Sequence, residues 1–434
     1  MNAWFEKQFK LSEHGTDVRT EILAGITTFM TMAYIIFVNP GILSTTGMPF
    51  GSLLVATCLG ASLATFLMAF LANYPFALAP GMGLNAFFAF TVVLGMKIPW
   101  QVALAAIFIE GVIFILLTCT KVREEVVNSI PKTLKIGVSA GIGIFITFIG
   151  LQSAGLVVAN PAVLVGLSPL RSNAGGLLAL AGLLLMVTLE TRRVTGGILI
   201  GIVAVTLAGI PLGITKMPAG IVSMPPSLSP IFMKMDFSMI AQPTFWVIVL
   251  TFFFVDFFDT VGTLVGVASR ADMLDKDGRL PKASQALMSD AIGTTAGAVL
   301  GTSTVTTFVE SASGVEQGGR TGLTALTVGI LFLLATFFSP LISIVPACAT
   351  APALIMVGGY MMMGFKDMDF SDWTEFFPAI IAFFMMPFAY SIAAGIEFGI
   401  VSYVALKLLM GRGKEVNWLL YVLAVLFILN RALL

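Results

Sequence analysis

Long apolar runs separated by short polar stretches fill almost the whole chain. Runs of ~20 apolar residues are what a bilayer-spanning helix needs, so the pattern predicts a polytopic membrane protein. The runs fall at about 20–38, 51–73, 76–94, 99–119, 136–156, 173–190 and 194–212, then at about 244–268, 284–300, 302–318, 320–343, 346–364, 374–390 and 392–411. Seven segments thus precede an interruption and seven follow it. The interruption, Pro211–Pro243, carries Pro211, Pro218, Pro225, Pro226, Pro230 and Pro243 and has no periodicity, which predicts an extended connector. Trp100, Trp246, Trp373 and Trp418 lie near segment ends, where an interfacial aromatic belt would place them. The tail Val416–Leu434 is apolar again, and reads equally as a fifteenth crossing or as a helix lying against the bundle.

Two segments depart from the helical pattern. In the third, FALAPGMG (76–83) sets a proline and two glycines where a helix should continue, before LNAFFAF restarts it. In the tenth, Ser303–Val309 is a run of Ser, Thr, Val and Phe with β-type preference, and a helix opens near Glu310. A lone strand cannot cross lipid, because its backbone donors and acceptors would go unmatched. Interrupted segments at matching places in two halves are expected to meet inside the protein and line a midplane site. A half-helix N-terminus there would favour a polar ligand.

Charge fixes orientation. With all fourteen segments crossing and the N-terminus cytoplasmic, eighteen Lys and Arg fall inside and four (Lys97, Arg171, Lys216, Lys234) outside. An odd number of crossings per half inverts the second half relative to the first, which is the inverted-repeat plan of many secondary transporters. Gly197-Ile-Leu-Ile-Gly-Ile-Val in segment seven echoes Gly395-Ile-Glu-Phe-Gly-Ile-Val in segment fourteen. The fold expected is an all-α polytopic membrane protein of 7+7 segments. Residues 1–19 are a charged cytoplasmic lead-in and not a cleavable signal.

Composition agrees and excludes several function classes. The 434 residues are 58% hydrophobic and 11% charged, with zero formal net charge, so no nucleic-acid partner is implied. His14 is the sole histidine, which removes His-based metal sites and His-dependent triads, and no Walker loop occurs. Cys58, Cys119 and Cys348 are far apart in apolar segments and read as inert thiols. The aspartates of the 270–282 loop, Asp272, Asp275 and Asp277, do not fit a calcium loop. Neither a metal nor a cofactor is expected.

Seven acids lie in or at the edge of apolar segments: Glu110, Glu190, Asp256, Asp259, Asp290, Glu310 and Glu397. An ionised group at midplane costs about 2.5–3.5 kcal/mol, so each should be protonated, hydrogen-bonded or ligand-bound. Asp256 and Asp259 stand three apart and are expected to share a helix face. Asn85 takes in segment three the place of Glu310 in segment ten, and reads either as a ligand group or as a cap for the restarting helix. Glu190 precedes Arg192 and Arg193 and is expected to pair with them at a membrane edge. Glu110, Asp290 and Glu397 read as interhelical hydrogen-bonding groups or as parts of a transport path.

Four stretches in order, AGITTFMTMAYIIFVNP (24–40), ANYPFALAPGMGLNAFFAF (72–90), FFFVDFFDTVGTLVGVA (252–268) and GTSTVTTFVESASGVEQGGRTGLTA (301–325), resemble the AzgA-like purine permeases of the nucleobase–cation symporter superfamily. The resemblance covers the chain from about Gly15 to Gly413 and implies short antiparallel strands in segments three and ten. It also implies a core domain (20–119 and 244–343) moving against a gate domain (120–212 and 344–411), with a connector at 213–243 and a tail at 412–434. Related carriers often work as dimers, so a homodimer is implied, in a plasma (bacterial inner) membrane. The motif match carries purine binding onto Asn85, Asp256 and Glu310, with Gly83 and Val309 beside the base. Proton coupling falls on Asp259, with Asp256 and Glu310. The implied activity is proton symport of a purine nucleobase. A competing reading is an anion channel or exchanger on the same architecture, against which the acidic site residues argue. An intramembrane enzyme would need a nucleophile–base pair, and none is visible.

Overall fold

A computed structural model describes residues 2–118, 131–218, 220–270, 273 and 280–433. Cys119, Asp272, Asp275 and Asp277 lie outside these residues. Cys58 and Cys348 are buried free thiols. Among the described residues nine helices are long and apolar enough to cross a membrane, and Met82–Gly95, Gly197–Gly209 and Trp373–Phe388 are shorter apolar ones. These elements follow the fourteen segments read from the sequence. Segment one is itself divided into Val18–Met32 and Ile35–Ser44, with Ala33 and Tyr34 at the break.

The third and tenth segments are not continuous helices. Strand β1 (Leu78–Pro80) leads into Met82–Ala86, and the chain continues in wide π-type turns over Phe87–Gly95. Two further strands, β2 (Val157–Asn160) and β3 (Leu164–Leu167), form an antiparallel hairpin between segments five and six. That hairpin is invisible to a reading tuned to membrane-length runs. Strand β4 (Val305–Thr307) leads into Ser311–Glu316. Strands β1 and β4 pair antiparallel, with Leu78 opposite Thr307 and Pro80 opposite Val305.

The packing obeys the inverted repeat. Under a swap of the halves, segment four against nine becomes eleven against two, and both pairs are in contact. Segment one against eleven likewise becomes eight against four, and five against thirteen becomes twelve against six. Segments one, two, four, eight, nine and eleven pack around the strand pair, while five, six, seven, twelve, thirteen and fourteen pack among themselves. The connector has no helix or strand among its described residues. It is strapped over the ends of segments two, four, nine and eleven through Ser52 Oγ to Ser227 O (2.8 Å), Asp236 N–H to Gln101 O (3.0 Å), Met233 N–H to Val299 O (2.9 Å) and Ser223 N–H to Phe337 O (2.9 Å). The tail forms a helix, Trp418–Leu433. Leu420, Leu423, Ala424 and Phe427, one helical stripe, are buried against segments eight and fourteen.

Glu21, at the start of segment one, is a buried acid that the sequence reading did not single out. It is fully buried and accepts from Arg320 N (2.8 Å), Thr321 N (3.2 Å), Thr324 N (3.1 Å) and Thr324 Oγ1 (2.6 Å). It therefore satisfies the free donors at the start of segment eleven. Glu21→Ala orphans those donors, and we expect a loss of at least about 3 kcal/mol, read as a lower thermal midpoint in detergent. An unchanged midpoint contradicts this role.

A second charged cluster clasps the ends of segments thirteen and fourteen. Lys407 is fully buried and meets Glu415 (2.8 Å) and Glu375 (3.2 Å), while Arg412 meets Asp372 (2.7 Å) and Glu415 (2.8 Å). Hydrogen bonds from Thr374 and then Arg412 hold Asp372 at about 2, and those from Arg412 and then Lys407 hold Glu415 at about 2. Acids depressed in the folded state stabilise it above their unfolded values, and that stability goes as pH falls through the folded ones. We expect a stabilisation that disappears between about pH 4.5 and 2 and is already smaller at neutral pH in Arg412→Gln, where Thr374 and Lys407 remain. Identical acid unfolding curves for the two proteins would contradict it.

Candidate functional site

The strand pair is held by hydroxyls because no water is available at that depth to satisfy backbone groups. Thr65 donates to Leu78 O (3.1 Å) and accepts from Leu78 N (3.0 Å); Thr294 donates to Val305 O (2.8 Å); Ser311 Oγ accepts from Ala77 N (3.0 Å). Gly81 N–H to Thr304 O (3.0 Å) and Phe308 N–H to Ala77 O (3.0 Å) extend the ladder beyond the strands. Asn39, from segment one, ties Thr57 (2.7 Å) to Thr302 (3.0 Å) at the approach to β4. The helical piece after β4 is only six residues long, so side chains, not a helix terminus, give this site its chemistry.

Glu310 follows β4 and accepts a hydrogen bond from the Tyr34 hydroxyl at 2.6 Å. The break in segment one sets that tyrosine opposite the break in segment ten. Ser313 donates to the Glu310 carbonyl (2.7 Å) and bonds Thr31 (2.9 Å), fixing the turn that carries the carboxylate. Val309 is 45% exposed, and Glu310 and Asp259 are partly exposed, so these three line the accessible side of the strand pair. A Cβ on Gly81 would lie 2.6 Å from Thr306 Cγ2 and 3.7 Å from Asp259 Oδ2, which places the Asp259 carboxylate against the corner where β1 becomes helix.

Asp256 and Asp259 stand three apart on one helix, as their spacing predicts, and meet different partners. Asp256 is fully buried, meets the Glu110 carboxyl and accepts from Thr260 (3.4 Å). Three residues of helix offset two side chains by about 60°, and Thr306 of β4 reaches both environments, its hydroxyl on Thr260 (2.7 Å) and its methyl against the Gly81 corner beside Asp259. Asn85 is fully buried, and its Oδ1 accepts a short hydrogen bond from Ser303, joining segment three to the approach of β4. It lies within Met82–Ala86 and Gly81 occupies the N-cap, so the capping role read for Asn85 does not hold. Glu190 is exposed at the end of segment six and its contact is the Tyr360 hydroxyl; the chain turns at Arg193 (φ 55°), and the expected pairing with Arg192 and Arg193 is not formed. Asp290 accepts from Thr260 (3.0 Å).

Tyr34 was missed by sequence reasoning, since nothing in AYII marks a tyrosine as the partner of an acid in another segment. Glu21 was missed because it sits among charged residues. A glutamate followed by ILAGITTF, facing inward at helical spacing, was the available signal.

Residues 19–398 match the Permease family. The chain belongs to that family. It is similar to the adenine permease AdeP of Escherichia coli K12, at 45% identity over 98% of this chain and 95% of that protein. It is equally similar to the guanine/hypoxanthine permease PbuG of Bacillus subtilis 168, at 45% identity over 97% of this chain and 98% of that one. The fold resembles the transmembrane domain of a cyanobacterial bicarbonate transporter, BicA, with a TM-score of 0.66 at 16% identity, over 87% of this chain and 97% of that one. The protein is therefore a multi-pass membrane permease and not an enzyme.

In this permease Gly83 touches the other helical group. A Cβ there would lie 2.7 Å from Ile142 Cγ2 of segment five, closer than packed atoms tolerate. Gly83→Val should force the two groups apart at this seam and lower the maximal transport rate at least about tenfold, the size expected of a 1–3 kcal/mol overpacking strain. A kinetic series that finds the rate unchanged contradicts the importance of this close contact for transport.

Proposed function

We propose that this permease imports purine nucleobases by proton symport, with the base held between β1 and β4 against Glu310. The observation that carries this reading is the Glu310 carboxylate, anchored on one oxygen by Tyr34 and presented beside the exposed Val309. A purine is planar and neutral, and its ring N–H groups suit a carboxylate acceptor. The 45% identity to adenine and to guanine/hypoxanthine permeases supports the same class of substrate. Asn85 would shape the floor of the site through Ser303.

The coupling ion in this reading is a proton taken up by Asp259, which lies on the accessible side of the strand pair, so that the loaded site crosses without added charge. Segments one to four and eight to eleven would form the moving core, and five to seven and twelve to fourteen the gate, with the N-terminus cytoplasmic in the inner membrane and two copies forming a dimer. An anion carrier on the shared fold is disfavoured, because Asp256, Asp259 and Glu310 would repel an anion.

The test is uptake of labelled adenine, guanine and hypoxanthine into proteoliposomes, acid outside. At least one base should accumulate, bicarbonate should not compete, and collapsing the pH gradient should end accumulation. No uptake of any of the three bases would overturn the substrate class, and uptake indifferent to the gradient would overturn symport.

A further inference from the structure

Buried beside the strand pair lies a cluster that the proposed function does not explain. Glu110 of segment four (Trp100–Thr118) and Asp256 of segment eight (Pro243–Arg270) are both fully buried, and their carboxyl groups meet. Donors around them are few. Thr304 offers its hydroxyl to Glu110 Oε2 at 3.4 Å. Thr260 has a single hydroxyl proton, and its oxygen lies 3.0 Å from Asp290 Oδ1 and 3.4 Å from Asp256 Oδ1. The remaining oxygens, Glu110 Oε1 and Asp256 Oδ2, are buried with no donor facing them. The groups facing the pair are Asp259 along segment eight, Asp290 of segment nine, and the hydroxyls of Thr260 and Thr304. Segments four and nine contain no Lys or Arg, and segment eight has only its terminal Arg270.

Two carboxylates in contact, with no cation and no donor between them, cannot both be ionised in a dry interior. A proton between them removes the repulsion and supplies the donor that both bare oxygens lack. We propose that Glu110 and Asp256 hold one shared proton, a buried acid pair with a single negative charge beside the β1–β4 crossing. Both residues are closed to solvent, so the proton is retained and is distinct from any that Asp259 carries. Glu110 is thereby a positioning residue: it acts on the site through Asp256, Thr260 and Thr306 rather than on a ligand.

The pair rests on the purine-transport reading only for its consequence in uptake, and the experiment keeps the two apart. Infrared spectra of the purified full-length protein at neutral pH, in H2O and in D2O, report protonated carboxyl groups by their carbonyl stretch. The wild type should show such a band, and it should disappear both in Glu110→Gln and in Asp256→Asn, whose amides donate to the remaining carboxylate. Should either variant fail to fold, the other still decides. A band of the same intensity in the variants, or no band in the wild type, overturns the shared proton. Uptake of labelled adenine and hypoxanthine by the same wild-type preparation is measured alongside. A band that behaves as expected in a protein that takes up neither base leaves the acid pair standing and removes the transport reading alone.

Discussion

Glu310→Gln should bind purine bases at least about a hundredfold more weakly than the parent protein. One carboxylate oxygen of Glu310 is engaged by Tyr34, and in the proposed reading the other accepts from a ring N–H on the accessible side. A charge-assisted hydrogen bond is worth about 1.5–3 kcal/mol, and the glutamine amide adds a donor facing a donor if it turns its nitrogen outward. If it turns the nitrogen inward, it faces the Tyr34 hydroxyl, and the acceptor left for the base is uncharged. Each orientation loses an interaction, and about 3 kcal/mol corresponds to a factor of more than a hundred. Calorimetric titration with hypoxanthine and adenine measures it. An affinity within threefold of the parent would mean that the base does not contact Glu310.

Asp259→Asn should separate binding from coupling. Asp259 is partly exposed beside Gly81 whereas Asp256 is fully buried, so the Asp259 proton can exchange with the accessible side while Asp256 stays sealed. An amide keeps the size and polarity of the group and removes the titrating oxygen. Counterflow of labelled base should persist within about threefold, whereas accumulation should fall to equilibration. For one proton per base, a gradient of one pH unit supports about tenfold accumulation, equivalent to 1.36 kcal/mol, and the variant should reach a ratio of about one. Accumulation retained in the variant would move the coupling proton to another acid.

Much of this architecture could be read from residue order, because the bilayer leaves few alternatives. Apolar length fixes the segments, the Pro80–Gly81 step and the β-branched run at 304–307 mark where helices fail, and an acid at such a place is conspicuous. What could not be read was which buried groups face each other. Asp256 and Asp259 looked like one patch on helical spacing, yet β4 packs across that face through Thr306 and Thr260, so the two acids have different neighbours. Tyr34 becomes the partner of Glu310 only because segment one breaks at Ala33–Tyr34 beside the break in segment ten, and no local signal reports a contact across 276 residues. Glu21 was hidden by its charged surroundings; only the inward face of its helix makes it a cap for segment eleven. Periodicity places a residue on an element, while tertiary packing decides what it meets.

The claim on which the transport reading depends is that a purine lies between the two interrupted segments. A structure of the purified protein with hypoxanthine or adenine bound tests it most directly. The ring should lie beside Val309 at the crossing of β1 and β4, with a ring N–H within hydrogen-bond reach of one Glu310 oxygen and with Tyr34 still bonded to the other. A base found against Glu110 and Asp256, or anywhere out of reach of Glu310, would contradict it.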